Sequence, residues 1–246
     1  MQETLEQEIG LSAGQIYSYL AENDLISNLW RTNFIRTYIE RDIPQLGIQI
    51  PALQLRRLLT MLCHIQGQII NLSKLGESLG TSHTTIRRYI DLLEQTFIIR
   101  TLLPFESNIK KRLVKSPKIF VRDSGILHQL LAISDFNQLL GNPILGSSWE
   151  GYVVENLTAK LFEYSAFFYR TSSGDEMDLV LENGIERIAI ECKVSSAPTL
   201  SKGFWNAIEA IQPTKTFIVV PIETFYVLKN NIWVTGLEKL ISFIRG

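Results

Sequence analysis

Asp178, Glu191 and Lys193 are polar groups whose types and spacing suit work on a phosphate. They lie in the stretch 174–194, GDEMDLVLENGIERIAIECKV, which reads as two short strands joined by a turn. Asn183-Gly184 is a strong hairpin signal, because both residues tolerate positive φ. Alternation puts Met177, Leu179 and Leu181 on one face of the first strand and Asp178, Val180 and Glu182 on the other. On the second strand Ile188, Ile190, Cys192 and Val194 share a face, and Ala189, Glu191 and Lys193 share the opposite one. A two-residue turn at Asn183-Gly184 sets Asp178 opposite Ala189, one diagonal step from Glu191. A four-residue loop through Glu186 sets Asp178 directly opposite Glu191. Both registers keep the three polar groups within reach on one face. Two carboxylates that close repel unless a cation lies between them. Oxygen ligands of this kind suit Mg²⁺ or Mn²⁺. Lys193 is then placed to stabilise charge on a phosphate or to help position a water. A solvated edge hairpin would carry the same Glu-x-Lys pattern, so the flanking elements must decide.

The helix predicted over 149–162, with Ser148 as its cap, supplies a third acid. At 100° per residue Trp149, Val153, Val154, Leu157 and Leu161 form its apolar side. Glu150 falls inside that stripe and Glu155 well outside it. A carboxylate on a core-facing stripe is costly without a partner, which a metal or a neighbouring lysine would supply. Glu150 is therefore preferred as the third acid. Its place in a first helical turn, where the dipole favours negative charge, is the alternative explanation. A strand at 167–170 precedes the hairpin. A helix over 199–211, with Phe204, Trp205, Ile208 and Ile211 inward, follows it. Strands at 216–221 and 231–234 and a helix at 237–244 close the chain. The order helix, three strands, helix, strand, together with Asp178, Glu191 and Lys193, resembles the PD-(D/E)xK nuclease core, with Met177 where the family name has proline.

The chain has 246 residues, room for one large domain or two small ones. Its apolar runs are too short to span a membrane, and the acidic N-terminus argues against a targeting peptide. Cys63 and Cys192 lie on core faces and read as buried thiols, which fits a reducing cytoplasm. The net charge of −1 hides a segregation. Residues 31–123 hold 15 lysines and arginines against 7 acids, whereas residues 1–30 hold 5 acids and no base. The middle of the chain is the part suited to a polyanion.

Residues 2–42 read as helical, with a helix over 29–43 that ends at Pro44. Pro51 opens another helix to about residue 66, whose core stripe is Leu53, Leu55, Leu58, Leu59, Leu62 and Ile65. His64 beside that stripe has no second ligand at metal spacing and reads as structural. The run 71–94 resembles a helix-turn-helix of the winged type. Ser73 caps its first helix, Gly80 makes the turn and Ser82 caps the second helix. Ile86, Tyr89, Ile90 and Leu93 point inward, leaving His83, Thr84, Arg87 and Arg88 outward as a recognition face. Strands at 97–103 and 118–121 form the wing, with Lys110, Lys111, Arg112 and Lys115 on its basic tip. Winged helices also serve as protein docking modules. A connecting helix over 124–132 follows, and Gly141, Asn142, Pro143 and Gly146 punctuate the passage to the last domain. The resulting plan is α+β or α/β. It has a helical segment (1–45), a winged helix (46–123), a connecting helix and linker (124–146), and a nuclease-like αβββαβ domain (147–246).

Several pieces together resemble one family: the runs 33–43 (NFIRTYIERDI) and 115–118 (KSPK), then Arg122-Asp123-Ser124-Gly125, Ser148-Trp149-Glu150-Gly151 and Glu191-Cys192-Lys193. That family is the C-terminal region of bacterial AAA-type ATPases called domain of unknown function 4143. The resemblance runs from about residue 29 onward. It implies a winged helix and a nuclease-like domain following an ATPase module, with Glu150, Asp178, Glu191 and Lys193 as nuclease-site residues. The chain has no G-x-x-x-x-G-K-[ST] loop, so ATP hydrolysis is not carried over and the chain reads as a shortened member or a fragment. Two functions follow as expectations. One is a metal-dependent deoxyribonuclease in which Glu150, Asp178 and Glu191, with the Cys192 carbonyl, hold Mg²⁺ or Mn²⁺. The other is a non-catalytic DNA-binding or protein-docking module acting with a separate ATPase. Expected partners are DNA, an ATPase chain and a second copy, with no membrane.

Overall fold

The computed structural model describes residues 24–47, 50–106, 113–195, 197–229 and 231–246. The part of the expected helical segment before residue 24 and the tip residues Lys110, Lys111 and Arg112 lie outside them. The chain divides into two compact units. One comprises the described residues within 9–101 and 119–148, the other those within 102–118 and 149–246. Across the described residues the architecture is mixed α and β, with an eight-stranded sheet in the order β2-β1-β3-β4-β5-β6-β8-β7.

The first unit is mainly helical. Helix α1 (Asp24–Thr37) runs on through a π-helical turn, Tyr38–Asp42, and a last turn, Ile43–Gln45. The helix therefore passes Pro44 rather than ending before it. In the π turn the Ile43 N–H bonds the Tyr38 carbonyl five residues back. The hydrogen-bond register thus shifts just before the residue that lacks an N–H. Helix α2 (Ala52–His64) buries Leu55, Leu58, Leu59, Leu62 and Cys63. Leu53, which helical spacing assigns to that stripe, is instead 59% exposed, one residue from the helix start. His64 is exposed.

Helix α3 (Leu72–Leu79) is capped by Asn71, whose side chain accepts from the Lys74 N–H, and not by Ser73, which falls inside it. Gly80 closes α3 at φ +64°, a left-handed position where glycine has no Cβ penalty. Helix α4 (His83–Gln95) begins at Ser82, which accepts from the Thr85 N–H as expected. Ile86, Ile90 and Leu93 are buried and Tyr89 is partly buried. Strand β1 (Ile99–Pro104) starts two residues later than expected, because Phe97 takes a left-handed turn (φ +61°) after α4. Strand β2 (Lys118–Val121) matches its expected bounds. Helix α5 (Ser124–Leu130) is capped by Asp123. A short α6 (Phe136–Leu140), capped by Asp135, occupies what reads in sequence as a polar link.

Helix α7 (Leu145–Lys160) starts four residues before the expected position. The Asn142 side chain accepts from the Ile144 N–H, and Pro143 supplies the preset φ that suits a first turn. Ser148 is thus inside the helix, and its hydroxyl is committed to His128 at 2.8 Å.

The second unit is built on β3 (Ser165–Arg170), β4 (Glu176–Asn183), β5 (Glu186–Cys192), β6 (Lys215–Val219), β7 (Phe225–Lys229) and β8 (Ile232–Thr235). Helices α8 (Lys202–Ile211) and α9 (Leu237–Arg245) complete it. Strands β3, β4 and β5 pair antiparallel, and β6 joins β5 in parallel. Met177, Val180, Ala189, Phe204, Ala207 and Ile218 belong to one buried cluster. Leu179, Leu181, Ile188 and Ile190 are also fully buried, so the hairpin is a central element and not a solvated edge.

Candidate functional site

The hairpin register decides which polar groups meet. Leu179 pairs with Ile190, Glu182 with Arg187 and Asn183 with Glu186. This is the second of the two registers that the sequence allows, with Gly184 and Ile185 at the tip and Asp178 level with Glu191. Gly184 takes φ +60°, while Asn183 stays in the ladder. A cross-strand ion pair between Arg187 and Glu182, at 2.6 Å, favours this register. Arg187 is also tied to Thr214, through backbone and hydroxyl bonds.

Beyond the last paired residues, the Asp178 carboxylate accepts the Cys192 N–H at 2.8 Å. One strand of the hairpin therefore fixes the acid carried by the other. Lys193 Nζ donates to Glu191 Oε1 at 2.6 Å. Glu191 is buried, and its second oxygen, Oε2, has no hydrogen-bond partner among the described residues. Asp178 lies close enough to act electrostatically on Glu150, Glu191, Lys118 and Lys193. Glu150, Asp178, Glu191 and Lys193 thus gather in one unit.

Two residues that sequence reasoning did not assign to the site complete it. The ammonium of Lys118, 1% exposed, lies 2.8 Å from Glu150 Oε1, 2.8 Å from Glu176 Oε1 and 3.8 Å from Asp178 Oδ1. Its stem passes the Phe168 ring, with Nζ 5.6 Å from the centroid. Glu176 is also reached by Arg170 at 3.5 Å. Both residues left a sequence signal. Glu176 and Asp178 are two apart on one strand and so share a face. Lys118 heads the apolar strand Lys-Ile-Phe-Val, where a lysine needs an anionic partner. Glu155, expected to face away from the core, is buried and engaged in contacts of its own.

Four carboxylates, of Glu150, Glu176, Asp178 and Glu191, thus gather round the ammoniums of Lys118 and Lys193, with the Arg170 guanidinium on Glu176. Burial alone would lower the Lys118 pKa, but Glu150, Asp178 and Glu176 outweigh it and raise the group well above its ordinary value, so it stays charged. Glu150 is raised by burial and then by Asp178, against the pull of Lys118. Glu191 is raised by burial and then by Asp178, against Lys193. Burial and the surrounding acids push the Cys192 thiol well up, which keeps it protonated.

A metal held jointly by Glu150, Asp178 and Glu191 does not fit this arrangement. One Glu150 oxygen is given to Lys118, and the lysine ammonium stands where the carboxylates converge. Among the described residues no group of three or more His, Cys, Asp or Glu side chains is arranged to hold a metal ion.

In the first unit, His83, Thr84, Arg87 and Arg88 all lie exposed on α4, as expected. The Thr84 hydroxyl is tied to Ser82 at 2.8 Å. Neither Arg87 nor Arg88 makes an ion pair among the described residues. Lys115 is exposed in the second unit. No helix among the described residues is long and apolar enough to cross a membrane.

These units define a chain that has a helical unit with two exposed arginines on α4 and a mixed α/β unit built around a buried lysine–carboxylate cluster. The family model called domain of unknown function DUF8612 matches residues 15–137, and that called DUF4143 matches residues 145–240. The chain belongs to the DUF4143 family, with a DUF8612 domain preceding the DUF4143 region. It is similar to the uncharacterized proteins Mb2031c of Mycobacterium bovis and Rv2008c of Mycobacterium tuberculosis, 38% identical over 232 residues in each case. The match covers 94% of this chain and 53% of each relative, so the chain spans about half their length. Among solved structures, the crystal structure of protein VC1899 from Vibrio cholerae aligns at 12% identity with a TM-score of 0.26. That alignment covers 97% of this chain and 54% of the other.

Proposed function

We propose that this chain is a nucleic-acid-binding module: a winged helix-turn-helix joined to a unit that keeps a nuclease-like order of elements. The observation that carries the reading is the outward face of α4. His83, Thr84, Arg87 and Arg88 are exposed there, and the two guanidiniums have no ion-pair partner among the described residues. Uncommitted cations on a helix that follows a tight turn suit phosphates and base edges. Lys115 adds a further exposed cation on the stretch between β1 and β2. DNA is the expected ligand, and a separate ATPase chain is the partner that the family resemblance suggests. The test is binding of a labelled DNA duplex, followed by fluorescence anisotropy at several salt concentrations. Native protein should lose affinity steeply as salt rises, and Arg87→Ala/Arg88→Ala should bind more weakly with a shallower slope. Equal affinity in native protein and the variant would end this reading.

A second reading is that the α/β unit cleaves phosphodiesters as a metal-dependent deoxyribonuclease. The gathering of Glu150, Asp178, Glu191 and Lys193 favours it, as does the order α7-β3-β4-β5-α8-β6, which resembles the PD-(D/E)xK core. Lys118 weighs against it, because it takes the oxygen of Glu150 that a cation would need. The check is a cleavage screen on linear, nicked and branched DNA with Mg²⁺ or Mn²⁺. Under this reading Lys193→Ala loses cleavage and keeps binding; turnover retained by that variant would sink it.

A further inference from the structure

We propose that the open edge of β7 is a self-association surface, on which a second copy of this chain pairs its own β7 antiparallel about a twofold axis at Tyr226. Strand β7 ends the sheet, with β8 on one side and no strand of the described residues on the other. All of Phe225–Lys229 is exposed, and only Lys229 in that run is charged. An apolar edge of this kind is a template for another strand rather than for a polyanion. The backbone shows which groups are open. Phe225 stands against Thr235, Tyr226 against Val234 and Val227 against Trp233. One step before them the Gly236 N–H donates to the Thr224 carbonyl. Antiparallel pairs alternate between bonded and non-bonded, so Tyr226 is turned to Val234, and Phe225 and Val227 turn their N–H and C=O groups away from β8. Thr235 agrees, because its carbonyl accepts the Val220 N–H on the far side of β8. A bulge after Val227 resets the ladder and sets Lys229 against Ile232, which ends the regular open row.

One antiparallel register uses both open residues. Phe225 of each copy then exchanges backbone bonds with the partner's Val227, and Tyr226 meets the partner's Tyr226 at the axis as a close, non-hydrogen-bonded pair. Charge selects the same register independently. It brings Glu223 level with the partner's Lys229 at both ends of the pairing, and both residues are exposed. Lys239 approaches Glu223 to 3.6 Å, but both side chains remain about half exposed, so the carboxylate is still open to a second cation. A second copy supplies the acid, the base and the matching apolar strand at once. Phe243, exposed and in ring contact with Phe225 and Trp233, widens the apolar surface on one face. The bulge and Lys229 blunt the far end of the edge, so the pairing is short and the dimer reversible. The inference is separate from the nucleic-acid reading and is measured without DNA.

The test is sedimentation equilibrium of the native chain, from low micromolar to several hundred micromolar protein, with thermal melting to confirm that each variant is folded. Native chain should pass from monomer to dimer within that range. Tyr226→Asp sets two carboxylates against each other at the axis and should weaken the dimer about tenfold or more. Val227→Pro removes an N–H that faces the open edge and takes no part in the β8 ladder, and should weaken it comparably. Either variant suffices if the other does not fold. Register is read by cysteine crosslinking, with the native chain and its Cys63 and Cys192 as the blank. Under mild oxidation Tyr226→Cys should give a covalent dimer, because its two copies meet at disulfide distance, and Leu228→Cys should not. The proposal is overturned if the native chain stays monomeric at the highest concentration, if its dimer is unchanged in a folded edge variant, or if Leu228→Cys crosslinks as readily as Tyr226→Cys.

Discussion

Arg87 and Arg88 on α4 and Lys118 at the head of β2 carry the same charge in opposite circumstances. The arginines are exposed and make no ion pair among the described residues, whereas the lysine is 1% exposed and touches three carboxylates. A cation that the fold has not neutralised is available to a polyanion. A cation enclosed by acids has its field spent inside, and its loss leaves those acids uncompensated. Within one chain of net charge −1, the two exposed arginines of α4 are the part that the proposed nucleic-acid reading rests on. The lysine is first a structural element.

The largest expected effect tests the enclosed cation. Lys118→Ala should lose about 3–5 kcal/mol of stability, because removing one partner of a buried ion pair strands the other. Urea denaturation measures it. By contrast, Arg87→Ala/Arg88→Ala should stay within about 0.5 kcal/mol of native, as surface changes do. Comparable destabilisation in both would erase the distinction between the two kinds of cation.

Proton linkage gives the next test. Glu150 and Glu191 are raised above the ordinary carboxylate range, to about 8, by burial first and Asp178 second. The folded chain thus holds protons that the unfolded chain has released. Their contribution to stability is fully present below the ordinary carboxylate range and is lost as pH rises through about 8. Melting temperature followed from about pH 5 to about pH 9 should fall over that span, and Glu150→Gln or Glu191→Gln should flatten the fall. A profile that rises over the same range would contradict this picture of the cluster.

For the exposed pair, removing one cation that meets a phosphate should reduce the salt slope by about 1, so the double arginine variant should lower it by about 2. Its affinity should fall by about 1–3 kcal/mol if one of the two reads a base edge. The smallest effect concerns how α4 is presented. Ser82→Ala removes the cap on the Thr85 N–H and should cost about 1 kcal/mol, read by thermal melting. A cost near zero would mean that Ser82 is not what fixes the start of α4.

Much of this is legible in the sequence, because local rules govern it. Ser82, Gly80 and the inward Ile86, Ile90 and Leu93 follow from capping and helical period. The level placement of Asp178 and Glu191 is one of two registers that alternation allows. Choosing between them requires the Glu182–Arg187 pair across the hairpin and the ties of Arg187 to Thr214, which lies 27 residues further along the chain. Boundaries differ where a neighbour outranks the local signal. Ser148 looks like a cap but is held by His128, and the Asn142-Pro143 pair starts the helix instead. Ser73 yields to Asn71 in the same way. Lys118 lies 32 residues from Glu150 in the chain, and no periodicity links them. The expectation that Glu150 needs a lysine or a metal is sound, and the structure supplies the lysine.

The central contrast is between a free basic face and a cation already neutralised, and DNA binding tests it most directly. A labelled duplex is titrated with native chain, Arg87→Ala/Arg88→Ala and Lys118→Met over a range of salt, and only folded protein is scored. The expected result is tight, salt-sensitive binding by the native chain, a marked weakening with a shallower slope in the arginine variant, and near-native binding by Lys118→Met. Loss of binding in folded Lys118→Met, with the arginine variant unaffected, would place recognition at the carboxylate cluster and contradict that contrast.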